Sequence, residues 1–137
     1  MARFPGVDYL RIDSLFSEQE LLVRETARRF VDEQVAPLIR DCFRDARFPK
    51  ELIPEMARLG FLGANLEGYG CAGMSNVEYG LVMQELERVD SGVRSFVSVQ
   101  GALVMYPIHE FRARPENHGC RRRCAPTRLR YPPPSRW

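Results

Sequence analysis

Residues 75–111 decide the fold and read SNVEYGLVMQELERVDSGVRSFVSVQGALVMYPIHEF. Ser75 and Glu78 have the capping-box spacing that begins a helix. The inner face of that helix is predicted to hold Val77, Leu81, Val82, Leu86 and Val89. Residues 90–92 break the pattern, and residues 93–111 are apolar nearly all round. A helix that is apolar on every side is buried, so we expect more protein to pack on it than three neighbouring helices supply.

A long helix is predicted over residues 17–45. Ser17 and Glu20 form another capping box, and apolar side chains recur after it in steps of three or four. Pro37 should kink this helix or end its first part, because proline lacks a backbone N–H and its ring clashes with the preceding turn.

A shorter helix is predicted to end at Leu59, just before Gly60. Pro54 fits a helix only in its first turn, so this helix begins late. Residues 61–66 form a short apolar connection that is extended or nearly so. Four helices, short loops and no clear strand signal predict an all-α fold, a partial helical bundle.

Charge and proline content divide the chain into two regions. Residues 1–111 hold 12 Lys and Arg against 17 Asp and Glu, whereas residues 112–137 hold eight Arg, one acid and five of the ten prolines. We expect residues 1–111 to form the helical domain. The basic Pro/Arg-rich tail, residues 112–137, is expected to be disordered, because it has too few aliphatic side chains to offset the entropy of ordering.

The sequence carries no membrane or secretion signal. No run of about 18 or more apolar residues is present, so no membrane span is predicted. The first ten residues have Pro5 and Asp8 where a signal peptide would need an apolar region, and they lack the character of a transit peptide. We therefore expect a cytoplasmic protein with its four cysteines reduced.

Two motifs suggest other ligands but lack the right context. Residues 68–73 spell G-x-G-x-x-G, yet no second strand completes a dinucleotide-binding unit, so a tight loop with positive φ angles is favoured. His118, Cys120 and Cys124 flank three arginines whose charge opposes a metal dication, so no metal site is expected. Those arginines attract polyanions in general, and no specific nucleic-acid binding is expected.

Arg94 is the candidate ligand-binding residue. If Ser91 caps the last helix, Arg94 is its third residue, where the helix dipole disfavours a cation. Free N–H groups and the guanidinium would together bind a carboxylate there. The alternative, favoured on physical grounds alone, is a surface ion pair of Arg94 with Asp90 or Glu87, which contributes little stability.

Three blocks of sequence resemble the N-terminal helical domain of the acyl-CoA dehydrogenases. They are EGYGCAGMS at residues 67–75, ELERVDSGVRSF at residues 85–96 and SVQGALVMYPI at residues 98–108. The likeness covers about residues 8–111. The run ERVDSGVRS, from residue 87 to residue 95, resembles the glutaryl-CoA dehydrogenase branch of that family.

The resemblance assigns roles to four side chains and reverses the order of the two interpretations of Arg94. Arg94 would bind the distal carboxylate of the substrate, with Ser95 beside it and Glu87 and Ser98 near the pocket. A planar guanidinium suits this task, because an acyl chain without that carboxylate would leave the guanidinium unpaired.

The resemblance also implies an activity for the whole enzyme. Members of the family are homo-oligomeric flavoproteins, expected here as a tetramer, that remove a proton from Cα of an acyl-CoA and pass a hydride from Cβ to FAD. The glutaryl-CoA branch also releases CO₂ and yields crotonyl-CoA, in lysine and tryptophan degradation. Because the family works in mitochondria in eukaryotes, the mitochondrial matrix is the alternative location.

The chain departs from the family after Phe111. The family's Gly-Ser-Glu-Glu-Gln-like helix start is replaced by Arg-Ala-Arg-Pro-Glu-Asn-His. The flavin-contacting Thr-Glu-Pro segment and the catalytic glutamate are missing, so an N-terminal fragment that is inactive alone is expected. We hypothesise that residues 112–137 are a frameshifted or mis-spliced end, which the nucleotide sequence after the Phe111 codon would test. The alternative function is a non-catalytic helical interaction module that binds a partner through its exposed apolar face.

Overall fold

The computed structural model describes residues 9–111, and these residues contain helices and turns without a strand. The α-helices are α1 (Glu18–Phe30), α2 (Ala36–Arg44), α3 (Ile53–Arg58), α4 (Asn76–Glu87), α5 (Ser91–Ser98) and α6 (Tyr106–Phe111). Two π-helical segments, Val31–Val35 and Val99–Met105, join α1 to α2 and α5 to α6. Short 3-10 helices cover Ile12–Leu15 and Lys50–Leu52. The predicted all-α class is confirmed, while the predicted tail at 112–137 lies outside the described residues.

The first long helix passes its proline without ending. Helices α1 and α2 form one continuous rod, and Pro37 lies in the first turn of α2. Directly before it, the N–H of Ala36 donates to the carbonyl of Val31, five residues back, as in a π-helix. A wider turn leaves the carbonyls before the proline less crowded. The predicted disturbance at Pro37 is therefore a local π-helical segment.

The two predicted capping boxes are confirmed. In each box the serine hydroxyl accepts from the backbone N–H of the glutamate three residues on, and that glutamate accepts from the serine N–H. The short helix α3 also begins late, with Pro54 in its first turn, and Gly60 follows its end at φ 76°. Only glycine adopts that conformation readily.

The connection at residues 61–66 is turned, which corrects the prediction of an extended segment. The N–H of Leu66 donates to the carbonyl of Gly63 at 3.0 Å, and Gly63 has a φ of 69°. A Cβ atom on Gly63 would lie 2.6 Å from Cε of Met105. The segment therefore packs against the second π-helical segment, and the positive φ of residue 63 favours glycine there.

The inner face of α4 also differs from its prediction. Val77 was expected inside but is 45% exposed, whereas the side chains of Glu78 and Glu85 are buried. Both carboxylates are paired: Glu78 accepts from Gln19 Nε2 at 2.7 Å, and Glu85 accepts from Arg28 Nη2 at 2.6 Å. Buried polar groups need such partners. Because both partners lie on α1, α4 turns these residues toward α1.

The segment from α5 to α6 leaves an apolar face uncovered. Val93 and Val97 are fully buried, but Leu103 is 70% exposed. Other large apolar side chains are exposed around it, namely Val99, Val104, Tyr106 and Phe111. The helices of the described part thus cover only one side of this apolar segment. None of the helices within residues 9–111 is long and apolar enough to cross a membrane.

The buried carboxyl group of Glu78 makes the stability of the domain depend on pH. The N–H of Ser75 lowers its pKa, burial raises it and Gln19 lowers it again, so the pKa lies below its usual value. A carboxyl group with a lowered folded-state pKa stabilises the fold at neutral pH, and this stabilisation is lost as the pH falls below about 4. We expect Glu78→Gln to melt below the wild type at pH 7, with the difference shrinking toward pH 3 in circular dichroism melts. The exposed Glu25→Gln serves as control and should show a small difference throughout, and a Glu78→Gln difference that stays constant to pH 3 would contradict the prediction.

Candidate anion-binding site

A tight turn places the end of α4 beside the start of α5. The N–H groups of Val89 and Asp90 both donate to the carbonyl of Leu86, at 3.2 and 3.0 Å, which closes α4. Helix α5 begins immediately afterwards at Ser91 and packs against α4. This turn brings Glu87, the last residue of α4, next to Arg94.

The four predicted site residues form one connected cluster. Arg94 Nε donates to Glu87 Oε2 at 2.5 Å, and Arg94 Nη1 donates to Ser98 Oγ at 3.4 Å. Ser98 Oγ in turn donates to the carbonyl of Ser95 at 3.1 Å. The Arg94 side chain is 35% exposed, so a solute can reach its guanidinium. The role of this cluster in binding stays a prediction.

The N-cap of α5 is Asp90, which corrects the expectation that Ser91 caps this helix. The Asp90 carboxylate accepts from the N–H of Val93 at 2.6 Å, and the N–H of Arg94 donates to the Asp90 carbonyl at 3.2 Å. Arg94 is therefore the fourth residue of the helix, not the third. These two N–H groups are already engaged, so the candidate anion-binding group is the guanidinium and not either of these backbone donors.

The ion pair of Arg94 with Glu87, expected under the alternative interpretation, is present, and it leaves guanidinium N–H donors for a second anion. Glu87 and Ser98 accept from two of the five N–H donors of the Arg94 guanidinium within the described residues. Glu87 is 48% exposed, and such an exposed pair contributes little stability. An ion pair with Glu87 and binding of a second carboxylate are thus compatible on one guanidinium.

Tyr79 is a further residue of this surface that no sequence pattern singled out. Burial raises the pKa of the Tyr79 hydroxyl, and the positive charge of Arg94 lowers it by less. The two groups are therefore within electrostatic reach of each other. Tyr79 precedes Glu87 by eight residues on α4, a spacing close to two helical turns. This spacing is the sequence feature that could have placed Tyr79 on the same side of α4 as Glu87.

Buried polar groups and metal-ligating side chains single out no cofactor position within the described residues. No buried side-chain nitrogen or oxygen within residues 9–111 lacks a hydrogen-bond partner. No group of three His, Cys, Asp or Glu side chains in that part of the chain is arranged to hold a metal ion. The G-x-G-x-x-G loop has the expected positive φ angles, 80° at Gly68, 83° at Gly70 and 64° at Gly73, and no strand adjoins it. His118, Cys120 and Cys124 lie outside the described residues.

The fold and the matched sequence together define the family. Residues 17–113 match the model of the acyl-CoA dehydrogenase N-terminal domain. The chain therefore belongs to the acyl-CoA dehydrogenase family, and the resemblance read from its three sequence blocks is confirmed.

Solved structures and curated proteins extend this comparison. Glutaryl-CoA dehydrogenase from Mycobacterium smegmatis, in complex with FADH2, superposes with a TM-score of 0.78 at 42% identity, over 85% of this chain and 30% of that chain. The 3-(aryl)acrylate reductase of Clostridium sporogenes is 33% identical over 94 residues, 68% of this chain and 25% of its own length. The mitochondrial short/branched chain specific acyl-CoA dehydrogenase of Bos taurus is 29% identical over 97 residues, 70% of this chain and 22% of its own. The chain spans about a quarter of the length of these curated relatives.

Capping by Asp90 can be tested by comparing two neighbouring substitutions. Asp90→Ala removes the acceptor for the Val93 N–H and should lower the free energy of unfolding by about 1 kcal/mol. Ser91→Ala should change it by less than about 0.5 kcal/mol, as at an ordinary exposed position. Urea denaturation of both variants measures these values. A larger loss in the free energy of unfolding for Ser91→Ala than for Asp90→Ala would show that Ser91 is the N-cap.

Proposed function

We propose that this chain is the N-terminal helical part of an FAD-dependent acyl-CoA dehydrogenase of the glutaryl-CoA type, in which Arg94 binds the distal carboxylate of the substrate. The observation that carries the proposal is the cluster of Arg94 with Glu87 and Ser98 at the α4–α5 turn. The 42% identity to the glutaryl-CoA dehydrogenase of M. smegmatis supports this branch of the family.

The chemistry of the cluster favours a dicarboxylic substrate. A guanidinium binds a carboxylate through two parallel N–H···O bonds, which fixes direction as well as charge. Glu87 occupies the Nε donor, so a substrate carboxylate would take donors from the Nη groups. An acyl chain without a distal carboxylate would leave those Nη donors without an acceptor once the substrate covers them. The site would thus select its substrate by the cost of unpaired N–H donors.

The contribution of this chain to the reaction is binding and orientation. FAD, when bound, supplies the acceptor for the hydride that leaves Cβ, and a carboxylate base removes the Cα proton. By the resemblance, the base and the flavin-contacting segment belong to parts of the family that residues 9–111 do not match. Because the chain spans 30% of the glutaryl-CoA dehydrogenase chain, the remaining groups would come from a longer protein.

A chimeric enzyme tests the role of Arg94. Residues 17–111 of this chain replace the matching part of the M. smegmatis enzyme, and kcat/KM is measured with glutaryl-CoA and with pentanoyl-CoA, which lacks the distal carboxylate. Arg94→Met should lower kcat/KM for glutaryl-CoA about 100-fold, or roughly 2.7 kcal/mol, and change pentanoyl-CoA turnover little. Arg94→Lys keeps the positive charge but loses the paired N–H donors of the guanidinium. Its kcat/KM for glutaryl-CoA should lie between those of the unsubstituted chimera and Arg94→Met.

The unsubstituted chimera is the control for folding and flavin content in that experiment. Equal losses for the two thioesters after Arg94→Met would contradict the proposal, since the guanidinium would then not distinguish the carboxylate.

The isolated 137-residue chain is expected to lack activity. Purified after expression, it should be colourless, bind no stoichiometric FAD and fail to reduce a dye acceptor in the presence of glutaryl-CoA, because it lacks the base and a built flavin site. Absorbance near the flavin bands and a dye-reduction assay measure both properties. Stoichiometric FAD with turnover would overturn the expectation of inactivity.

The second candidate function is a non-catalytic interaction module, which the exposed apolar face of the α5–α6 segment favours. Leu103 is 70% and Phe111 is 80% exposed, and adjoining apolar side chains of that size mark binding surfaces. Size-exclusion chromatography with and without a full-length acyl-CoA dehydrogenase separates the two functions. A complex of defined stoichiometry would support the module, and elution as separate species would exclude this partner for it.

A further inference from the structure

A buried carboxylate joins α4 to the first helical rod. The Glu85 side chain is 3% exposed and accepts from Arg28 Nε at 3.0 Å and from Arg28 Nη2 at 2.6 Å. Its second oxygen accepts from Arg88 Nε at 3.0 Å. Two cations on opposite sides thus compensate one buried anion, and removal of either would leave that anion under-paired.

Arg88 extends this network across the interface. Arg88 Nη2 donates to Asp32 Oδ1 at 2.5 Å, and Asp32 lies in the π-helical segment Val31–Val35. One guanidinium therefore holds a carboxylate of its own helix and a carboxylate of the neighbouring rod. Arg28, the other cation on Glu85, lies on α1, and its hydrogen bonds to α4 go to Glu85.

Arg88 also adjoins the anion-binding cluster. It is the C-cap residue of α4, directly after Glu87 and two residues before the cap residue Asp90. Glu87 contacts Arg94 on α5, while Arg88 contacts Asp32 on the opposite side. Because the turn at residues 88–90 is short and hydrogen-bonded to Leu86, a shift of Arg88 moves the backbone of Glu87 and Asp90 with it.

The exposed pair of Glu87 and Arg94 needs such an anchor. Both side chains are long and more than a third exposed, and a pair of this kind does not by itself fix a geometry. The Arg88 and Asp32 side chains are 43% and 36% exposed, so their pair alone is no more fixed than that of Glu87 with Arg94. The difference is that Arg88 also donates to the buried Glu85 carboxylate, whose side chain is 3% exposed. This buried contact makes the Arg88 network the more constrained of the two arrangements on this turn.

We propose that Arg88 is a positioning residue for the distal-carboxylate site, an inference that rests on the proposed function of Arg94. Held by Glu85 and Asp32, Arg88 fixes the end of α4, and thereby sets where Glu87 meets the Arg94 guanidinium. Without Arg88 the turn relaxes, the guanidinium loses its orientation, and the preference for a carboxylate-bearing acyl chain falls.

The chimera of residues 17–111 with the M. smegmatis enzyme tests this, using Arg28→Met as a matched control for Arg88→Met. Each variant removes one guanidinium from Glu85, so both should lower Tm to a similar extent. The measured quantity is the ratio of kcat/KM for glutaryl-CoA to kcat/KM for pentanoyl-CoA. Arg88→Met should lower this ratio about tenfold, as expected when a binding group is displaced. Arg28→Met, farther from the turn, should change it by less than about twofold.

Two further variants keep the test decisive if Arg88→Met folds poorly. Asp32→Asn removes the partner of Arg88 without changing α4, and should lower the ratio in the same direction. Arg88→Lys keeps a charge near Glu85 and should restore part of the preference. Equal ratios for the Arg28 and Arg88 variants would overturn the positioning role, and so would an unchanged ratio in both Arg88→Met and Asp32→Asn.

Arg94→Met, measured beside them, separates the two proposals. If it lowers the ratio and the Arg88 variants do not, only the positioning role fails. If it leaves the ratio unchanged, the distal-carboxylate site and its positioning residue both fail.

Discussion

The burial of Glu85 is the constraint on which the arrangement of this domain depends. Removal of a carboxylate from water costs several kcal/mol, which a paired cation offsets, and the Glu85 side chain is 3% exposed. Its pairing with Arg28 fixes which side of α4 faces α1. Once that side is set, Glu87, two residues further on, is directed elsewhere and meets α5. The core of the domain and the orientation of its candidate site therefore follow from one rotation of one helix.

The parts of the fold that were predicted correctly depend on short sequence separations. A capping box spans three residues, and a proline in a helix or a glycine at its end acts within one turn. Leu81, Val82 and Leu86 of α4 are buried as predicted. The prediction failed at Val77 and missed the buried glutamates, because the determinants there are remote in sequence. Glu78 is buried by a hydrogen bond from Gln19, 59 residues earlier, and a hydrophobic pattern that scores glutamate as exposed cannot register it. Gly63 likewise packs against Met105, which is remote from it in sequence.

The candidate site was predictable to a similar extent. Arg94 and Glu87 are seven residues apart, so their pairing could be anticipated from helical spacing across a short turn. The capping residue was misassigned, because aspartate and serine are about equally good N-caps and stand side by side at residues 90 and 91. The ideal position of a Cβ atom on Gly92 lies 2.9 Å from the Asp90 carboxylate, which indicates in retrospect why a glycine follows. The two interpretations of Arg94 turned out to be compatible, since one guanidinium has donors for both.

The π-helical segment at Val31–Val35 has a consequence for how the length of this region can vary. A π-helical turn contains one more residue than an α-helical turn, so deletion of a single residue there would restore regular winding. The wider turn therefore absorbs one residue, and the helix beyond it would keep nearly the same side toward the core. Cys42, now fully enclosed, would stay buried. A one-residue change inside the regular winding of α1 or α2 would instead rotate everything beyond it by about 100°. The length of the chain before Pro37 can thus vary by one residue at this segment and nowhere else along the two helices.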